Sequence, residues 1–228
     1  MEIWYLEVNT NIKNVKRISV IVCLLILFIN TSCFAATDQF RAFKTWDYEV
    51  SIVGQGDSDA VNSAVSYAVW TFQNLGYTNA NGTNIYTTTN DKSYLFNNWL
   101  NISSNNYGFY IYAHGNSSLF TLERGNSDRY VYPSEISGNW HLVFLDSCSC
   151  LATNAFATRF KTDGYSKRAT LGWYTTIKHV ASAEWWSHFY SVAGTTNIRS
   201  ACLSAADQSQ GSTPIRIYGD KTWNGKAW

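Results

Sequence analysis

Charge is scarce in this sequence. Only 14% of its 228 residues are Asp, Glu, Lys or Arg, and 17 basic against 16 acidic side chains leave a formal charge of +1. With neither sign in excess, the chain offers no basic field to a nucleic acid and no acidic field to a cationic partner. Other signals are missing too. No segment repeats, and no low-complexity stretch or linker divides the chain. Gly54-Gln55-Gly56 lacks the third glycine of a phosphate-binding loop. Cys148 and Cys150 are separated by a single residue, and no second close Cys or His pair completes a structural zinc site. Neither a metal nor a cofactor is expected.

What is present is a globular balance. Hydrophobic residues make up 46% of the chain and aromatics 16%, with 10 Trp and 15 Tyr. That composition argues against disorder, and the length suits one domain. Large aromatics can fill a core or line a groove, and composition alone does not separate the two uses.

The N-terminus stands apart. Lys13, Lys16 and Arg17 precede an apolar run over residues 18–29, and Asn30-Thr31-Ser32-Cys33-Phe34-Ala35-Ala36 follows. A charged region, an apolar core and a small-residue exit read as a secretory signal peptide, cleaved after Ala35 or Ala36. The run is about 12 residues, short of the ~20 that span a bilayer, so cleavage is favoured over an anchor. A lipoprotein carrying its lipid on Cys33 is the weaker reading, because Asn30 stands where an aliphatic residue is expected. Residues 1–36 are thus expected to be signal peptide and upstream segment, and residues 37–228 a single α/β domain. The mature protein is expected to be secreted or extracytoplasmic, with no stable membrane span. Cleavage would leave Cys148, Cys150 and Cys202. An odd count in an oxidising compartment leaves at least one thiol unpaired within the chain, and a nucleophile would account for it. Cys150 with Cys202 is a candidate disulfide.

Residues 46–53 (WDYEVSIV) are rich in β-formers and end at Gly54, so they read as the first strand. A helix capped by Asp57 or Ser58 follows, with Val61, Ala64, Val65, Ala68, Val69 and Phe72 at helical spacing. Next come a short strand at 85–88, a helix at 94–100 and a nearly continuous apolar strand at 107–113 (YGFYIYA). A surface hairpin between 118 and 132 precedes a second apolar strand at 141–145 (HLVFL). The remainder reads as a helix at 153–160, a strand at 169–177, helices at 182–192 and 198–206, and a last strand at 215–218. Alternating strands and helices, with central strands apolar on both faces, predict a three-layer α/β sandwich around a mostly parallel sheet of about six strands.

In such a sheet, functional residues collect at the C-terminal ends of the strands. One central strand ends in His114-Gly115 and the next in Asp146-Ser147-Cys148. A thiolate is a strong nucleophile but a free thiol is mostly protonated at neutral pH, so a neighbouring imidazole that moves its proton makes a working pair. Gly115 lets a substrate approach its backbone, and its N–H with that of Cys148 could hold a tetrahedral oxyanion. A lone His or Cys at a strand end is usually structural; the ordered pair with its glycine is what lifts this reading. His141 opens its strand, at the opposite edge, and reads as structural. His179 and His188 lie near the later helical segment without a motif, and Trp185-Trp186 reads as core and groove wall.

The segments YIYAHG and HLVFLDSC resemble the superfamily of caspases, metacaspases, gingipains, legumains and CHAT domains. Asp146-Ser147-Cys148 is similar to the metacaspase nucleophile motif, and the final IRIYGD resembles the end of gingipain-like domains. Two departures stand out: Ala113 where metacaspases usually carry glycine, and Ser149-Cys150-Leu151 where they usually carry His-Ser-Gly. The resemblance implies a caspase-like fold and a cysteine peptidase acting on proteins or peptides through His114 and Cys148. It also implies that Asp146 lines the pocket for the residue before the cut bond and favours Arg or Lys there. Alternation would put Asp146 and Cys148 on one face if the strand stays regular. A competing reading of Asp146 is a turn or helix cap. The competing reading of the whole chain is a non-catalytic module that binds peptide or glycan through exposed aromatics.

Overall fold

The computed structural model describes residues 38–80, 87–89, 91–100, 108–122, 128–209 and 213–227. The expected signal peptide, with Cys33, lies outside the described residues. Among the described residues no helix is long and apolar enough to cross a membrane.

The first strand is β1, Gln39–Thr45. A 3-10 turn at Trp46–Tyr48, the short helix α1 (Val50–Val53) and the long helix α2 (Gln55–Asn74) follow it. Then come β2 (Thr78–Asn79), β3 (Thr87–Thr89), α3 (Lys92–Leu95) and a π-helical turn at Phe96–Leu100. β4 (Gly108–Tyr112) runs into a small hairpin sheet of β5 (His114–Asn116), β6 (Leu119–Thr121) and β7 (Tyr130–Val131). The chain ends with β8 (Leu142–Asp146), α4 (Ala155–Arg159), β9 (Ala169–Trp173), α5 (His179–Val192), α6 (Ile198–Gln208) and β10 (Ile215–Gly219).

The main sheet has the order β10-β9-β8-β4-β1-β2, with β3 also paired to β1. All pairings in it are parallel except β10 against β9. Alternation along each strand feeds two cores. Tyr110, Tyr112, Phe144 and Trp173 meet α2, α5 and α6 on one face. Phe109, Ile111, Val143 and Leu145 meet α3, α4 and the small sheet on the other. This is the three-layer, mostly parallel α/β sandwich that the alternation predicts.

The expected strand at 46–53 is a correction. Those residues form the 3-10 turn and α1, and Trp46, Val50 and Ile52 are exposed. β-propensity reflects how a side chain fits a half-buried pleated surface, and no sheet neighbour covers these residues. The strand that is used instead, QFRAFKT, hides its nature behind two cations. Arg41 lies over the Trp99 ring at 4.9 Å and donates to the Ala80 carbonyl at 3.0 Å. Lys44, buried, pairs with Glu49 at 2.9 Å and donates to Asn62 at 3.2 Å. Each charge has a partner, which is what allows it inside. α2 begins a few residues before the expected cap, at Gln55, just after Gly54 with φ 86. The expected strand at 85–88 overlaps β3; residues 85 and 86 lie outside the described residues.

Candidate active site

β4 and β8 are neighbours in parallel register, with Tyr112 opposite Asp146. His114 follows Tyr112 by two residues and Cys148 follows Asp146 by two. The two side chains therefore leave adjacent strands at the same edge, where chain topology in open α/β sheets gathers functional groups. Both are partly exposed, whereas the strands behind them are buried.

His114 is held by the turn after β1. The Tyr48 hydroxyl lies 3.1 Å from its Nδ1, and the Asp47 carboxylate lies 3.9 Å from its Nε2. Tyr48 also packs edge-on against Tyr112 at 4.9 Å and His179 at 5.3 Å. The Tyr112 hydroxyl sits 2.8 Å from His179 Nδ1. Burial, with Asp146, Tyr48 and the Cys148 sulfur nearby, drives the Tyr112 phenol well above its ordinary pKa, so it stays a protonated donor.

Cys148 sits in a turn pinned to the chain beyond β9. Ile177 N–H donates to Cys148 Sγ at 3.5 Å, and the thiol faces the Ile177 carbonyl at 3.8 Å. Ser149 N–H donates to the Thr175 carbonyl at 3.0 Å, and Leu151 N–H to Trp173 at 3.0 Å. Ser149 takes φ 59, a left-handed conformation that costs a residue with a Cβ about 1–2 kcal/mol. Gly115 lies against this turn. A Cβ there would collide with Ser147 Oγ and come within 2.8 Å of Cys150 Sγ, so only glycine fits.

The three described cysteines are free. Cys150 belongs to the core on one face of the sheet and Cys202 to the core on the other, so the candidate Cys150–Cys202 disulfide is excluded by the sheet between them. Burial pushes the Cys150 thiol up to about 12 and raises that of Cys202 well above its ordinary value.

Asp146 departs from its expected surroundings. It is 1% exposed. Its carboxylate accepts hydrogen bonds from Trp173 Nε1 at 2.6 Å, Tyr110 Oη at 2.8 Å, Trp186 Nε1 at 2.9 Å and Ser182 Oγ at 2.9 and 3.0 Å. Burial raises its pKa against those four donors. A carboxylate so enclosed leaves no open acceptor for a basic substrate side chain, so the physical case for Asp146 as the reader of Arg or Lys fails on burial. β8 stays regular through Asp146, and that same regularity turns the side chain into the core under α5. His141, read as structural, is buried and lies 3.2 Å from Asp38 near the start of β1.

Tyr48, Asp47 and Tyr112 were not among the expected site residues. The first two lie in the segment misread as a strand. Tyr110 and Tyr112 did carry a signal: a polar-tipped ring in an otherwise apolar, buried strand needs a hydrogen-bond partner.

Among the described residues no group of His, Cys, Asp and Glu is arranged to hold a metal ion. Comparison of the sequence with protein-family models finds no match, and comparison with curated proteins finds none. Comparison with solved structures does find matches. One is described as pro-sf-caspase-1, at 11% identity and a TM-score of 0.48, over 80% of this chain and 87% of that one. Another is caspase-1 from Spodoptera frugiperda, at 10% identity and a TM-score of 0.47, over 83% of this chain and 92% of that one.

Proposed function

We propose that the chain is a cysteine peptidase with Cys148 as nucleophile and His114 as its proton carrier. The observation that carries this reading is the shared strand edge: a partly exposed thiol with an N–H aimed at its sulfur and, past the end of the neighbouring strand, a histidine held by Tyr48 and Asp47. In the proposed reaction the Cys148 thiolate attacks the peptide carbonyl carbon. The backbone N–H groups of Gly115 and Cys148 are the proposed oxyanion donors. His114 delivers a proton to the departing amine as the C–N bond breaks, leaving a thioester. Water then attacks the thioester, His114 takes the proton from it, and the carboxylic acid and the thiol are released. Asp47 offers a counter-charge to the imidazolium formed on the way.

Exposed Trp46, Val50 and Ile52 follow the end of β1, and exposed Tyr174 and Val180 follow the end of β9, so apolar surface flanks the edge on both sides. This suits an uncharged stretch of a peptide. The expected preference for Arg or Lys before the cut bond loses its carrier with the enclosure of Asp146. Export by the leading segment stays part of the proposal, and N-terminal sequencing of protein recovered outside the cell checks it.

A fluorogenic peptide panel ending in Arg, Lys, Asn, Asp and Leu, read beside labelling by a peptidyl electrophile, tests the function. Hydrolysis with labelling confined to Cys148 and dependent on His114 is the expected result. No hydrolysis and no selective labelling would sink the peptidase and leave the non-catalytic binding module.

A further inference from the structure

The Cys148 thiol is gripped by a segment that belongs to neither β4 nor β8. Between β9 and α5 the chain crosses residues 174–178, and Tyr174, Thr175, Thr176 and Lys178 are all exposed. Packing fixes this crossing at two points, Ile177 against the core and Tyr174 under the Arg216 guanidinium at 4.7 Å, and hydrogen bonds fix it elsewhere. Tyr174 N–H is tied to the Pro214 carbonyl at 2.9 Å, and the Thr175 carbonyl accepts from Ser149 at 3.0 Å. At the far end His179, the first residue of α5, bonds Tyr112 at 2.8 Å. Tyr112 is a fixed post, buried in a central strand. Ile177 lies between these ties, and its N–H reaches Cys148 Sγ at 3.5 Å.

We propose that the Tyr112–His179 hydrogen bond is a clamp that keeps the Ile177 N–H on the Cys148 sulfur, making His179 a positioning residue for the thiolate. An N–H donor stabilises a thiolate more than a thiol, because the donor's positive end meets a full charge. Releasing the clamp lets the exposed crossing drift and takes that donor away. The inference rests on reading Cys148 as the nucleophile. It assigns His179 no direct contact with substrate.

The test is the pH dependence of Cys148 alkylation by iodoacetamide, followed by peptide mapping of the full chain. Titratable groups around the thiol are His114, Tyr112, Cys150 and His179, with Tyr48 and Asp47 against His114 and Asp146 near Tyr112. Burial keeps Tyr112 and Cys150 protonated through the range read, and the variants must separate loss of the clamp from loss of a histidine. Tyr112→Phe does this: it breaks the clamp and leaves both histidines in place.

Tyr112→Phe and His179→Ala are each expected to raise the apparent thiol pKa by about one unit or more. His179→Asn, whose amide oxygen replaces the Nδ1 acceptor, is expected to titrate like wild type. Wild-type profiles in both Tyr112→Phe and His179→Ala would overturn the clamp. Tyr112→Phe removes a single oxygen and carries the test even if His179→Ala does not fold. Iodoacetamide needs no substrate site, so the clamp and the peptidase can fail separately. Shifted variants in a chain that hydrolyses no peptide and takes no selective label from the peptidyl electrophile uphold the clamp and remove the peptidase. Unshifted variants in an active peptidase do the reverse.

Discussion

Cys148 and Cys150 share one turn, and their surroundings differ in almost every respect. Cys148 is partly exposed, with an N–H on its sulfur and His114 leaving the next strand beside it. Cys150 is fully buried under Gly115, its thiol pushed up to about 12, and its sulfur faces the Leu119 carbonyl at 3.7 Å. One residue of offset, together with the left-handed Ser149 between them, sends one side chain to the rim and the other into the core. Environment thus separates the two thiols: the thiolate is the reactive form of a cysteine, and desolvation suppresses it at Cys150.

The sharpest way to break the comparison is to delete each sulfur in turn. Cys148→Ala is expected to lower peptide hydrolysis by on the order of 10⁴-fold or more, with the thermal midpoint close to wild type. Cys150→Ala is expected to keep hydrolysis and lose about 1 kcal/mol of stability to the cavity it leaves. Activity lost with Cys150 and kept without Cys148 would exchange the two roles. Removing the partner comes next. His114→Ala is expected to reduce kcat/KM by about 10²–10⁴-fold while the chain stays folded, checked by steady-state kinetics beside circular dichroism.

The same contrast between rim and core separates Cys148 from Asp146. Asp146→Ala strands the Trp173, Trp186, Tyr110 and Ser182 donors in the core and is expected to cost roughly 3–5 kcal/mol in denaturant unfolding. A variant as stable as wild type would contradict the enclosed cage. A smaller effect concerns pH. The raised folded pKa means that the native chain binds a proton on Asp146 more tightly than the unfolded chain does. Stability from this group is then fully present below the ordinary value of 3.8 and falls as pH rises from there through the raised value. Asp146→Asn removes the titration, so the stability of wild type minus that of Asp146→Asn should decline over that window. A flat difference would mean that the four donors offset the burial and leave the pKa where it is in the unfolded chain.

Much of the layout was legible in the sequence. YGFYIYA and HLVFL are apolar at successive positions, and only a strand covered on both faces can bury such a run. The helix over Val61 to Phe72 shows its one-sided spacing openly. β1 was hidden because Arg41 and Lys44 break its apolar pattern, and their partners Ala80, Trp99, Glu49 and Asn62 lie elsewhere in the chain. The segment at 46–53 was masked by β-forming residues, of which Trp46, Val50 and Ile52 stay exposed.

By itself, then, the sequence determined the α/β class, the central strands and the order of His114-Gly115 and Asp146-Ser147-Cys148 along them. Those features depend on local periodicity and on residue types at strand ends, which a linear reading can see. Tertiary structure alone decided what each reactive group meets. Asp146 lies two residues before Cys148, yet its carboxylate meets Tyr110, Trp173, Ser182 and Trp186, drawn from two other strands and α5. His114 meets Asp47 and Tyr48 from a turn more than sixty residues upstream. Cys148 meets Ile177 from a crossing that follows the next strand. Solvation, charge and hydrogen bonding act over a few ångströms in space, and only the folded chain brings such distant residues within that range.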